Sequence, residues 1–219
     1  PAVRTCRGLL LFIHGGYWQE LSARDALFPA LGCVEQKIAF AALNYTLAPH
    51  ASVTQIVAEC ERAVAYVQRH ALWFGFEPDH IVVAGSSAGA HLAAMMCAKE
   101  WRVPLRGAVL VSGIYELESL IGTSIDAALK LAHDEAMRNS PLLMPLHSFP
   151  RSIVMWGEVE TDEFKRQSVE LVQALAREGV PVDTFEVPKR NHFDVIMDLT
   201  DARTPLGAKT LALFNERQS

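Results

Sequence analysis

The chain has 219 residues, half of them hydrophobic, and a formal net charge of −5 with no basic block. This length and composition support one large core and a single domain over residues 1–219, and they exclude the electrostatic footprint of a nucleic-acid binder. Apolar runs are short and interrupted, the first residues lack a signal-peptide pattern, and Cys6, Cys33, Cys60 and Cys97 lie far apart without zinc-type spacing; the expectation is a cytoplasmic protein with reduced thiols, no metal and no membrane partner.

In chain order, the sequence begins at Pro1 and reaches an apolar run within a few residues, an abrupt start that points to a removed upstream segment. Residues 8–14 predict the first strand, and His14-Gly15-Gly16-Tyr17-Trp18 follows it. A second strand is expected over 38–44, then a helix from Val53 to Trp73 with Val53, Ile56, Val57, Cys60, Val64 and Val67 on one face. Strands follow at 80–85 and 106–112, with a helical face from Ala88 to Lys99 between them. Residues 116–150 break the alternation with two short helical patterns and the breakers Asn139-Ser140-Pro141 and Pro145, and read as a lid-like insertion or pocket wall. Strands at 152–157 and 182–187 and helices at 164–177 and 208–214 complete the pattern. Continuous apolar strands such as Ile81-Val82-Val83-Ala84 suit a sheet covered on both faces, so the fold class is α/β, an open and mostly parallel sheet between helices.

Ligands in such sheets bind beyond the carboxyl ends of the strands, and four of these ends carry chemistry. Gly85-Ser86-Ser87-Ala88-Gly89 is a GxSxG turn opening a helix; its glycines leave room for a nucleophile, and the Ala88 N–H lies where an oxyanion would form. Ser87 is the candidate nucleophile, the bland alternative being a serine that caps its helix. A serine needs a base and the base an orienting carboxylate, in the chain order serine, acid, histidine. His192, in the loop after the last strand, fits the base. For the acid, Glu160 and Asp162 both lie past the strand 152–157; Asp162 and Glu163 suit a first helical turn behind Thr161, which favours Glu160 by elimination. Gly15 and Gly16 let the loop after the first strand bring a second oxyanion amide toward Ser87. His91, one turn past Ser87, is expected to pack or bond locally rather than act as base.

These residues resemble the α/β-hydrolase superfamily and, within it, the kynurenine formamidase (arylformamidase) family. The resemblance rests on FIHGGYWQ at 12–19, NYTLAP at 44–49, GSSAGAHL at 85–92, SGIYEL at 112–117, Ser140-Pro141, EFKRQS at 163–168 and NHFD at 191–194. It implies Ser87 as nucleophile, His192 as base, amides near Gly16, Tyr17 and Ala88 as oxyanion hole, and further strands ahead of the HGG strand. The family's acid is usually an aspartate at the place of Glu160, and a longer arm there needs a slightly displaced backbone. The implied reaction is hydrolysis of N-formyl-L-kynurenine to kynurenine and formate, a step of tryptophan degradation, without a cofactor. Tyr17, Trp18 and Phe193 would offer apolar surface to the aromatic leaving group, with core packing the alternative for Trp18. The expected partner is a small-molecule substrate, a homodimer being compatible with the sequence. A general carboxylesterase would use the same residues, and a non-catalytic binding protein on this fold would be expected to lack a triad member.

Overall fold

The run Leu9–Ile13 forms the first strand, β1, and its alternation divides the interior: Leu9, Leu11 and Ile13 enter one core, Leu10 and Phe12 the other. The computed structural model to which this belongs describes residues 5–215; the expectation about the start at Pro1 lies outside them. After β1 come α1 (Ala30–Glu35), β2 (Ala39–Leu43), α2 (Val53–Phe74), β3 (Ile81–Ser86), α3 (Ala88–Ala98) and β4 (Gly107–Val111). The insertion carries α4 (Asp126–Leu129) and α5 (His133–Arg138), and β5 (Ser152–Val159), α6 (Asp162–Arg177), β6 (Val182–Asn191) and α7 (Pro205–Ala212) follow. The six strands form one sheet in the order β2-β1-β3-β4-β5-β6, and every pairing is parallel.

One core joins the sheet to α2, α3 and α6 through Ile56, Val64, Leu92, Met96 and Leu171; the other joins it to α1 and α7 through Cys33, Leu206 and Leu211. Helices therefore cover both faces, as the continuous apolar strands require. The chain runs from β1 to β2 on one side and then from β3 to β6 on the other, so the direction reverses between β1 and β3. That switch point is where open parallel sheets form their binding crevice. Gly89 keeps the two halves close: a Cβ there would lie 2.0 Å from the Ile13 carbonyl oxygen.

Several boundaries differ from the sequence reading. Helix α1 was not anticipated, because only Cys33 of its six residues is buried and no apolar face repeats. Helix α3 is buried on every side rather than amphipathic, since α2 and the insertion cover its outer face. Strands β5 and β6 run past 157 and 187, with a register shift between Gly157 and Val159 before Val159 pairs with Asn191. The insertion holds both anticipated short helices, flanked by 3₁₀ turns at Glu118–Leu120 and Pro141–Leu143. It docks through apolar residues that enter the first core, Leu117, Leu129, Leu131 and Ala136 among them, and through polar contacts: Gln19 Nε2 donates to the Ile125 carbonyl at 2.9 Å and Asn139 Nδ2 to Thr54 Oγ1 at 2.8 Å.

Among the described residues no helix is long and apolar enough to cross a membrane. Cys6, Cys33, Cys60 and Cys97 are free thiols, and burial pushes those of Cys33 and Cys60 up to about 12. Thiols held in that state are poor nucleophiles near neutral pH.

Candidate active site

Strand β3 delivers Ser87 into a sharp turn with φ 57° and ψ −125°, and α3 begins at the next residue. A left-handed φ on a non-glycine residue is strained, and here the surroundings hold it: the Ser87 N–H donates to the Val111 carbonyl at 2.9 Å, and its own carbonyl accepts from Ala90 and His91. The side chain caps nothing, so the bland reading of Ser87 as a helix cap does not hold. Gly15 lies directly opposite; a Cβ on it would sit 3.3 Å from that of Ser87. The next residues turn sharply, Gly16 at φ 91° and Tyr17 at φ 49°. Tyr45 braces this loop by donating its hydroxyl to the carbonyls of His14 and Gly15, each at 3.1 Å, while its ring stacks on His14. Among the described residues the amides of Gly16, Tyr17 and Ala88 donate to no protein acceptor. They are available to an anion beside Ser87, where the α3 N-terminus adds partial positive charge.

Pairing of Val159 with Asn191, the last residues of β5 and β6, sets the residues that follow them, Glu160 and His192, side by side. Glu160 Oε2 accepts from His192 Nδ1 at 2.8 Å, and its Oε1 accepts from Ser112 Oγ at 2.5 Å and from the Gly157 amide at 2.6 Å. With Nδ1–H committed to the carboxylate, Nε2 is the ring nitrogen left to carry the lone pair. Among the described residues no hydrogen bond joins His192 to Ser87, a step that commonly tightens only when substrate is bound. Phe164 packs against the imidazole face, ring centroids 4.2 Å apart, and Phe193 meets it edge-on at 5.5 Å. Asp162 occupies the first turn of α6 behind Thr161 and is exposed, as the elimination argument expected. The register shift beside Glu160 lies where the longer arm was expected to need a displaced backbone.

Burial alone would raise the Glu160 carboxyl, but hydrogen bonds from His192, Ser112 and the Gly157 amide outweigh it and hold the group below its ordinary 4.5. A carboxyl lowered in the folded state contributes stability that is fully present above the unfolded value and is lost as pH falls through the folded one. Urea unfolding should therefore show the wild-type midpoint dropping as pH falls from about 5. Glu160→Gln should flatten that drop; an unchanged slope would mean the carboxylate is not held as described.

The remaining expected residues divide. Phe193 is 84 % exposed beside His192 and is open to a ligand. Trp18 is not: it is 0 % exposed, its ring edge-on to His91 at 5.0 Å, so it belongs to the core and the pocket assignment is corrected. Its backbone is left-handed, with φ 60°. His91 is fully buried with Nε2 2.7 Å from the Asn139 carbonyl, and burial pushes it down to about 4, a structural imidazole as anticipated. Ser112, at the end of β4, was given no role from the sequence; its position between the strand ends that carry Ser87 and Glu160 was the available signal. Phe164 was likewise passed over as part of a helical face.

Comparison with known proteins agrees with this geometry. Residues 10–195 match the family model for the alpha/beta hydrolase fold. Kynurenine formamidase of Salmo salar is 34 % identical over 205 residues, covering 88 % of this chain and 68 % of that protein. An arylesterase of Saccharolobus solfataricus is 26 % identical over 218 residues, covering 88 % and 70 %. A solved structure of a thioesterase candidate from Silicibacter sp. TM1040 has TM-score 0.84 at 28 % identity, covering 97 % of this chain and 77 % of its own. The glycine-lined elbow at the switch point, the paired strand-end Glu160 and His192, and these similarities agree: the chain belongs to the α/β-hydrolase superfamily and, within it, to the kynurenine formamidase family.

Proposed function

We propose that the protein is a serine hydrolase cleaving a small acyl amide, N-formyl-L-kynurenine to L-kynurenine and formate. The observation that carries the reading is the 2.8 Å pair of His192 Nδ1 and Glu160 Oε2 at adjacent strand ends, across from the strained Ser87 turn. His192 Nε2 takes the proton as Ser87 Oγ attacks the formyl carbon, and Glu160 steadies the resulting imidazolium. The amides of Gly16, Tyr17 and Ala88 receive the oxyanion; losing one such donor costs on the order of a hundredfold to a thousandfold in rate. His192 then protonates the departing aryl amine, and water attacking the formyl-enzyme, again through His192, releases formate. The exposed Phe193 ring offers apolar surface to the aromatic leaving group. The similarity to the Salmo salar kynurenine formamidase favours the formamide substrate.

The arylesterase relative favours a second reading, a carboxylesterase of small acyl esters using the same residues. Turnover of N-formylkynurenine, followed as kynurenine and formate, is to be compared with that of p-nitrophenyl acetate on the same preparation. The formamidase reading expects the larger kcat/KM on the formamide. Ester turnover far above formamide turnover would replace it with the esterase reading.

A further inference from the structure

Glu160 is held by three donors from three different strand ends. Ser112 follows β4, Gly157 lies in β5, and His192 follows β6. The carboxylate is a buried charge whose side chain is 0 % exposed, and Ser112 is equally inaccessible. Each oxygen has its own work, Oε2 toward the imidazole and Oε1 toward the Ser112 hydroxyl and the Gly157 amide. Ser112 itself is positioned by a bond from its N–H to the Met155 carbonyl at 2.8 Å and carries a left-handed φ of 49°. Gly157 can present its amide there only without a side chain, since a Cβ would lie 2.3 Å from the Arg190 carbonyl oxygen and 3.1 Å from Glu160 Oε1.

We propose that Ser112 and the Gly157 amide form a seat that accepts glutamate and rejects aspartate, with Ser112 as a positioning residue acting on His192 through Glu160. Shortening the arm withdraws the carboxylate by about one C–C bond, ~1.5 Å. Contacts of 2.5–2.8 Å cannot all survive that withdrawal. The backbone cannot follow, because Val159 is paired with Asn191 on one side and α6 begins at Asp162 on the other. Removing the Ser112 hydroxyl leaves Oε1 held by the Gly157 amide alone, and the imidazole is oriented less firmly although every catalytic residue is still present. This inference rests on the reading of Ser87, His192 and Glu160 as a triad.

The test is a double-mutant cycle of Ser112→Ala and Glu160→Asp in the full chain, with kcat and KM measured on the better of N-formylkynurenine and p-nitrophenyl acetate. Each single variant should lose roughly 10- to 100-fold in kcat with KM little changed, the range for one hydrogen bond to a charged group. The double variant should fall no more than about threefold below the worse single, because both changes break the same seat. Losses that multiply, or full activity in Glu160→Asp, would overturn the proposal. Ser112→Gly guards against misfolding, since glycine relieves the left-handed φ of 49°. It should match Ser112→Ala in kcat while keeping or raising Tm; wild-type activity in a folded Ser112→Gly would also overturn the proposal. Ser87→Ala is run in parallel: if it stays active the triad reading fails, whereas if it is dead and the cycle multiplies, only the seat fails.

Discussion

Ser87→Ala should reduce kcat/KM by on the order of 10⁴- to 10⁶-fold while leaving the fold intact. The large loss follows because the nucleophile is the one atom whose bond to the acyl carbon splits the reaction into two easier steps. The small structural effect follows from what the hydroxyl does not do: it caps no helix amide, and the bonds that hold the turn are made by the Ser87 backbone. Alanine meets the same left-handed φ of 57° that serine already tolerates, so thermal unfolding should stay close to that of the wild type. A fluorophosphonate probe should label the wild type once, at Ser87, and should not label the variant. Labelling elsewhere, or activity surviving in the variant, would refute the assignment. A folded wild type whose Ser87 resists the probe would favour a binding protein on a hydrolase frame.

Much of this site was legible because the chemistry lies at strand ends, and strands announce themselves. Leu9–Ile13 and Ile81–Ala84 are continuous apolar runs, so Gly15, Gly16 and Ser87 could be placed just beyond them. His192 and Glu160 were reached by the same rule together with chain order. What stayed hidden depends on through-space neighbours or on local backbone turns. Ser112 meets its partner 48 residues away, and a serine after a strand carries no mark of that meeting. Trp18 was read as apolar surface for an aromatic leaving group with core packing as the alternative, and the core packing is what the fold shows, behind the consecutive left-handed residues Tyr17 and Trp18. Helix α1 exposes Leu31 and Val34 and has no periodic face to read. The motifs that resemblance supplied without a role acquire one in the fold. Gln167 accepts from the Tyr115 and Glu116 amides at 2.6 and 2.8 Å, and the Ser140 hydroxyl accepts from the Leu117 amide while donating to the Ala136 carbonyl. They hold the insertion against the strand ends of the candidate site.

Glu160→Ala should remove most activity, about 10³- to 10⁴-fold in kcat/KM, whereas Asp162→Ala should stay within a few-fold of wild type. The first change leaves His192 without the acceptor at Nδ1 that, in the proposed mechanism, sets its tautomer and steadies its positive charge in the transition state. It also strands the Ser112 hydroxyl and the Gly157 amide, and a buried donor without an acceptor costs about 1–3 kcal/mol, so Tm should fall as well. Among the described residues Asp162 makes no comparable contact; it is exposed in the first turn of α6, where its charge favours the helix N-terminus by about 0.3–1 kcal/mol. Its removal should therefore appear in thermal unfolding and barely in kcat. The inverse ranking, with Asp162→Ala inactive and Glu160→Ala active, would shift the acid by two residues and require the His192 imidazole to leave the 2.8 Å contact on which the proposed mechanism depends. Because that contact follows from the pairing of Val159 with Asn191, such a result would also require a different register at the end of the sheet. Kinetics on two single substitutions therefore tests the β5–β6 pairing together with the chemistry.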